Sequence, residues 1–157
     1  MFERARIKRG RSGEVRIRLP EDERELLHVL CAELRERVDE EPDHADLRRL
    51  FPPAHADDAD AEAEYRRLVG SQLDVGRERA LATVETTTAN ETLTADEAEA
   101  WLTVLNDLRL VLGTRLDVTE DLDWDLDPAD PRAPQLAVYA YLSWLQEQLV
   151  EALAAEL

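Results

Sequence analysis

The chain has 157 residues, of which 44% are hydrophobic and only five are glycine and seven proline, so its composition excludes intrinsic disorder and predicts one domain over residues 1–157. The formal net charge is −17, but residues 1–20 carry seven basic and two acidic side chains, whereas the remainder carries 12 and 34. An acidic body repels nucleic acid, so only the first 20 residues could attract it.

Three further absences in the sequence bear on where the protein works. No apolar run is long enough to span a membrane, and no apolar signal-peptide core follows the first charged residues. One cysteine excludes an internal disulfide framework. We therefore expect a cytoplasmic protein that does not contact a membrane.

The first predicted element is a β-hairpin over residues 1–19, because apolar and basic residues alternate with a period of two on both sides of a glycine-containing turn. The apolar face should lie on the rest of the protein. Three interpretations are open for the basic face: it contacts the phosphates of DNA, it docks on the protein's own acidic surface such as residues 117–130, or it is simply solvated. The face comprises Arg4, Arg6, Lys8, Arg16 and Arg18.

Residues 20–157 predict a bundle of about four main helices, so the expected fold class is mainly α with an N-terminal β-hairpin. Pro20 and three early acids begin the first helix, whose apolar stripe continues to about residue 38. A polar segment over 39–57 separates it from a second helix at about 58–84.

The third and fourth helices have clear start signals. Thr94 and Glu97 match a capping box, and the helix that they begin should end near Gly113. An acidic loop covers 117–132, and Pro134 begins a last helix that runs nearly to the C-terminus. In this last helix Tyr141 and Trp144 project outside the inward stripe, which indicates either burial on two sides or a contact surface for a homodimer or another protein.

Two arginines of the third helix lie close to its apolar arc. Arg109 projects from the edge of that arc, and Arg115 would fall within it if the helix continued past Gly113. Because an unpaired buried charge is costly, each should be paired, either in a structural bridge to a carboxylate or in a site for an anion or a partner's carboxylate. We expect both to form a central polar network with Asn106 and Asp107.

The acidic loop does not match a known metal site. An EF-hand loop that starts at Asp121 would need glycine at its sixth position and a bidentate glutamate at its twelfth, where this sequence has Leu126 and Arg132. An aromatic side chain among carboxylates must either pack inward or contact a partner. The candidate partner-binding residues here are Glu120, Asp121 and Trp124.

Cys31 lies at the margin of the first helix's stripe, one turn after His28. A buried, inert thiol is favoured, and the alternative is a Cys–His pair with a lowered thiol pKa. The sequence has no glycine-rich oxyanion loop, GxSxG motif, phosphate-binding loop, zinc-ligand spacing or dinucleotide fingerprint. We therefore predict no enzyme, cofactor or metal, and keep Cys31 as a candidate redox residue.

Three segments together resemble the actinobacterial AosR-like family, long catalogued as a domain of unknown function. They are RRLFPPAHADDADAEAEYRRL at 48–68, WLTVLNDLRLVLGTRLDVTED at 101–121 and YLSWLQEQLVEAL at 141–153. With the basic hairpin, the resemblance covers nearly the whole chain. It implies a cytoplasmic protein often encoded beside the ClpS protease adaptor and sulfur-carrier-dependent cysteine synthesis, with a redox-responsive transcriptional role through contact with a stress sigma factor.

On this resemblance the leading hypothesis is a non-enzymatic regulatory protein that acts through protein contacts in oxidative stress. The alternatives are an adaptor linked to ClpS and Clp proteolysis, or an uncharacterised binding domain. The expected partner is thus a sigma factor or a proteolysis component, while a homodimer and DNA contact stay open. Because an intramolecular disulfide switch needs two cysteines, sensing through Cys31 would require an intermolecular disulfide, a small-thiol adduct or sulfenic acid.

Overall fold

The computed structural model describes residues 4–40, 45–47, 49–50, 57–122 and 127–154, apart from the side chains of residues 66 and 68–74. It confirms a mainly α fold with an N-terminal antiparallel hairpin. The strands are β1 (Ile7–Arg9), β2 (Val15–Ile17) and β3 (Thr92–Leu93). The helices are α1 (Glu21–Glu40), a short 3₁₀ helix (Ala45–Leu47), α2 (Ala59–Thr87), α3 (Ala95–Arg115) and α4 (Ala133–Ala154).

The hairpin is part of a three-stranded sheet in the order β1-β2-β3. Ile7 lies opposite Ile17, and their side chains are buried with that of Val15, as the alternation predicts. The turn between the strands uses Gly13 at φ 85°, a backbone conformation that favours glycine. The sequence pattern did not predict β3, because two residues are too few to show a period of two.

The third helix ends later than predicted, at Arg115 rather than near Gly113. A Cβ atom at residue 113 would lie 3.1 Å from Cε2 of Tyr139, so this glycine allows close packing inside the helix and does not end it. The chain leaves the helix through Leu116 and then Asp117, which has a φ of 55°. The amides of Asp117 and Val118 donate to the carbonyls of Thr114 and Gly113, which is a Schellman motif with aspartate where glycine is usual.

Helix α3 lies at the centre of the molecule, where it packs against α1, α2, α4 and the 3₁₀ helix. The predicted capping box is present, since the Glu97 amide donates to Thr94 Oγ1 at 3.1 Å and the Thr94 amide to Glu97 Oε1 at 2.8 Å. Trp101 is fully buried, and its indole nitrogen donates to Thr87 Oγ1 at 2.7 Å. That bond joins the start of α3 to the end of α2.

The outer edge of the sheet is closed by a side chain of α4. The Oε1 atom of Gln148 accepts hydrogen bonds from the backbone amides of Arg6 at 2.6 Å and Ile7 at 3.0 Å. Unpaired amides on an edge strand invite pairing with another chain. Gln148 therefore both attaches β1 to the bundle and satisfies two donors on its edge.

Replacing Gln148 with leucine should lower the free energy of unfolding by about 2 kcal/mol, because two partly buried amides would lose their acceptor. Urea denaturation measures the change. Gln135→Leu makes the same replacement at an exposed position of the same helix and should change stability by less than about 0.5 kcal/mol. Equal losses in the two variants would show that the contact to β1 does not carry the effect.

Candidate interaction surface

The cationic hairpin is attached to the bundle through Arg6. Its guanidinium forms a fork with the Glu23 carboxylate, with Nε and Nη2 each at 2.9–3.1 Å from a carboxylate oxygen. The two side chains are only 19% and 15% exposed, so water screens the pair weakly. The hydrogen bond to Glu23 raises the pKa of Arg6, which stays charged. The guanidinium also lies over the Trp144 ring, 5.4 Å from its centroid.

Two aromatic residues of α4 complete this attachment. The Tyr141 hydroxyl donates to Glu23 Oε1 at 2.7 Å, and its side chain is 7% exposed. Burial, together with this bond to a carboxylate, raises the pKa of Tyr141 well above its ordinary value. The Trp144 ring centroid lies 6.2 Å from that of Tyr141. Both residues contact the Arg6–Glu23 pair, which favours burial of the helix on two sides, while a contact surface for a homodimer or another protein stays a prediction.

The other residues of the predicted basic face, Arg4, Lys8, Arg16 and Arg18, are exposed. Lys8 lies directly opposite Arg16 in the strand register, and the Arg18 amide bonds to the Arg6 carbonyl, which places those two residues opposite each other. Like charges directly opposite on a sheet are destabilising. We call Lys8, Arg16 and Arg18 the cationic sheet face. Within the described part of the chain, none of its three side chains forms an ion pair.

The predicted network on α3 is divided among three neighbours. Asp107 pairs with Arg77 of α2 at 3.2 Å, and Arg115 pairs with Asp46 of the 3₁₀ helix at 3.1 Å. Asn106 is exposed. The four residues therefore do not form one network, because successive positions on a helix point in different directions.

Arg109 reaches the last helix. Its Nε donates to Ser143 Oγ at 2.9 Å and its Nη1 to Gln146 Oε1 at 2.7 Å, while its guanidinium lies 5.4 Å from the Tyr139 ring centroid. These three contacts are with neutral groups of α4, where we expected a carboxylate or an anion. The polar Gln146, which interrupts the apolar stripe of α4, is thus the acceptor for the Arg109 guanidinium.

The Asp107–Arg77 pair shows how strongly the interior of the bundle acts on charges. Its side chains are 12% and 14% exposed. Burial raises the pKa of Asp107 above its ordinary value, and the attraction of Arg77 only partly opposes that effect. The pair joins α3 to α2 and is a structural contact.

The acidic loop is described only in part. Glu120 and Asp121 are exposed, whereas Trp124 lies outside the described residues. After the loop, the backbone and side chain of Arg132 donate to Asp130, which lowers the pKa of Asp130. Over the described residues, no group of three or more histidine, cysteine or acidic side chains could hold a metal ion.

Cys31 is 0% exposed in the core. Burial, and secondarily the nearby Glu85 carboxylate, raises the pKa of its thiol from 9.0 to about 12, against an opposing effect of Arg35. His28 is turned to Thr88, with Nε2 3.0 Å from the hydroxyl oxygen. The geometry therefore does not show the thiolate–imidazole pair that the spacing allowed.

Several residues that build this surface were not singled out from the sequence. Glu23 was grouped with the other acids at the start of α1, and nothing nearby distinguishes it from Asp22. Gln148 belongs to a helix whose polar positions all look alike. Only its contact with the distant hairpin reveals it, and sequence spacing carries no signal for such a contact.

Together these features define a mainly helical domain that presents a cationic sheet face. The chain belongs to the family described as a domain of unknown function, DUF2017, whose model matches residues 4–153. This finding and the relatives below confirm the resemblance to the AosR-like family. Across the described residues, no helix combines the length and apolarity needed to cross a membrane.

The relatives are mycobacterial proteins. The chain is 31% identical over 153 residues to a Mycobacterium leprae protein that carries the name AosR, with 87% of this chain and 69% of that protein covered. It is 32% identical over 126 residues to the oxidative stress regulator AosR of Mycobacterium bovis, covering 69% of this chain and 58% of that protein. The Mycobacterium tuberculosis protein of the same name gives the same values. No solved structure matches the chain.

The attachment of the hairpin can be tested at Glu23. Glu23→Gln removes the charge that compensates a mostly buried guanidinium and should lower the free energy of unfolding by about 2 kcal/mol. Glu21→Gln, an exposed change in the same helical turn, is the matched control. A double-mutant cycle with Arg6→Gln should give a coupling energy above about 0.5 kcal/mol, and additive losses would contradict the role assigned to the pair.

Proposed function

We propose that this protein is a non-enzymatic regulator of the oxidative stress response, which acts in the cytoplasm by binding a protein partner through the cationic sheet face. The regulatory role is supported by the names of the relatives, which are called oxidative stress regulators. The family resemblance favours a stress sigma factor as the partner and hence a role in transcription. The observation that carries the proposal is the cationic sheet face itself.

The arrangement of this face favours a binding role over simple solvation. Placing Lys8 opposite Arg16 costs stability, and neither side chain forms an ion pair with a carboxylate of the described residues. Nearby, Arg6 is fully paired with Glu23, so the fold does supply a carboxylate where it needs one. An acidic surface on a partner would supply the charges that the cationic sheet face lacks.

The face is also held rigidly. Gln148 fixes the edge of β1, the Arg6–Glu23 pair fixes the hairpin on α1, and β3 pairs with the other side of β2. A surface held in place before binding loses less conformational entropy when it meets a partner. Binding to it should depend on salt, because exposed charges are screened.

The charge distribution favours a protein over DNA as the partner. Residues 1–20 have a net charge of +5 and the rest of the chain −22, so a long polyanion would be repelled by most of the molecule. An acidic patch on a protein meets the cationic sheet face without approaching the acidic body so closely.

Binding can be tested by affinity purification from oxidant-treated and untreated cells. Lys8→Glu/Arg16→Glu should reduce recovery of the partner by more than about tenfold, since it reverses the charges on which steering and contact depend. Arg11→Glu/Arg79→Glu makes the same change in net charge at two exposed positions outside the face and should bind as wild type. Quantitative mass spectrometry measures both, followed by titration of the purified partner without DNA.

Three outcomes would contradict the proposal. Equal losses in the two double variants would show that net charge alone matters. Recovery that disappears on nuclease treatment would indicate nucleic acid as the ligand. Recovery of ClpS or Clp protease subunits in place of a sigma factor would favour the adaptor function.

We further propose that Cys31 is structural and that any redox response of this protein does not begin at its thiol. The thiolate is the reactive species, and a fully buried thiol with a raised pKa supplies very little of it near neutral pH. With one cysteine in the chain, an internal disulfide cannot form.

Alkylation of Cys31 by iodoacetamide at about pH 8 should therefore be more than about 100-fold slower in the native protein than in urea. Because the thiol pKa is higher folded than unfolded, its contribution to stability is present below pH 9.0 and is lost as pH rises towards about 12. Wild type should lose stability over that range more steeply than Cys31→Ala. Rapid native labelling, or oxidation of Cys31 by mild peroxide, would contradict this view.

A further inference from the structure

A cleft of about 490 Å³ lies beside the cationic sheet face. Its walls are the hairpin, the start of α1 and the connection between α2 and β3. This volume is within the range of about 300–1,000 Å³ that is usual for small-molecule sites. The lining residues that matter here are Lys8, Arg16, Arg18, Arg24, Asn90 and Glu91.

The charges around the cleft are unbalanced. Arg6 also lines it, but its guanidinium is neutralised by Glu23. Lys8, Arg16, Arg18 and Arg24 form no ion pair with any residue that the structure describes, and Glu91 is the acid in the lining. Four cations thus meet one carboxylate although the protein as a whole has a net charge of −17. The chain has 36 acidic residues, so an excess of cations in one cleft is contrary to its overall composition.

Arg24 provides an independent observation. Its side chain is partly buried, and its Nε atom is shielded from solvent without an acceptor among the described residues. A buried donor without a partner is unfavourable, and more so when it belongs to a charged group. The other guanidinium nitrogens of Arg24 are donors in a fixed planar arrangement. An anion in the cleft would compensate the charge of a group that the fold leaves uncompensated.

We propose that this cleft binds the phosphate group of a small phosphorylated molecule, with Arg24 and Arg18 as its principal ligands. Guanidinium groups match phosphate oxygens in a bidentate manner, which makes arginine suitable for this ligand class. Lys8 and Arg16 add positive charge at the mouth of the cleft. The amide of Asn90 and the carboxylate of Glu91 could bond hydroxyl or amino groups elsewhere on the ligand, and that carboxylate disfavours a continuous polyanion.

This inference goes beyond the proposed function and does not depend on it, because phosphate binding is measured on the purified chain with no partner present. The two are nevertheless connected through Lys8 and Arg16, which belong to both the cleft and the cationic sheet face. A bound phosphate would offset charge on that face. The ligand should therefore weaken the binding of an acidic partner, and the partner should weaken the ligand equally.

The test is isothermal titration of the purified full chain with inorganic phosphate, pyrophosphate and adenosine diphosphate, each at low salt. We expect saturable binding of pyrophosphate or the nucleotide with one site per chain. Arg24→Gln and Arg18→Gln should each weaken that binding by about tenfold, as expected for losing a charge-assisted hydrogen bond. Arg11→Gln removes one charge outside the cleft and should leave it within about twofold of wild type.

One additional variant separates the shape of the side chain from its charge. Arg24→Lys keeps the charge without the planar fork and should still weaken binding several-fold. If Arg24→Gln fails to fold by circular dichroism, the exposed Arg18 still allows a decision. Comparison of phosphate with the nucleotide shows whether the phosphate alone or the whole molecule is recognised. Binding of either supports the proposal that the cleft is a phosphate site.

The proposal is overturned if none of these anions binds saturably. It is also overturned if Arg11→Gln weakens binding as much as Arg24→Gln, because the effect would then be one of net charge. If short duplex DNA binds more tightly than these anions, and Arg24→Gln and Arg18→Gln weaken that binding, the ligand of the cleft is nucleic acid and not a small phosphorylated molecule.

Discussion

The structure depends most on the contact between Arg6 and Glu23. The first 20 residues have a net charge of +5, and a hairpin of two three-residue strands would be marginal alone in water. Glu23 holds this hairpin from α1, while Tyr141 and Trp144 contact the same ion pair from α4. A charge pair so little exposed would be costly without these added contacts, because desolvation opposes the Coulombic gain. It is therefore the point at which the sheet, the first helix and the last helix are joined.

The same contact explains why the remaining cations stay available. The chain has 36 acidic residues, yet Glu23 is the one whose carboxylate bonds the described hairpin from another element. Neutralising Arg6 alone fixes the hairpin and leaves the charges of Lys8, Arg16 and Arg18 facing outward. The protein thus keeps a strong separation of charge after folding, with a small cationic face on an acidic body. Such a separation orients the molecule towards a partner before they touch.

How much the sequence predicts depends on the range of the interaction. Predictions from local patterns were correct: strand alternation predicted the hairpin, and Thr94 with Glu97 predicted the start of α3. Predictions were wrong or missing at positions whose role is set by a residue distant in the sequence. Gly113 looks like a helix terminator but makes room for Tyr139, and β3 exists because β2 has a free side. The candidate site was predicted as far as its cations, whereas Glu23, Gln148 and Arg24 emerge only when remote segments are brought together.

The overlap between the cleft and the cationic sheet face has a consequence for regulation. Cys31 is buried and the pKa of its thiol is raised, both of which disfavour direct oxidation of this residue. Two ligands that compete for the same cations are coupled by necessity, and each lowers the affinity of the other by the same factor. A phosphorylated metabolite in the cleft would then set how much of the cationic sheet face is available to a partner. Regulation of this kind needs no conformational change, because the shared charges of Lys8 and Arg16 carry the coupling.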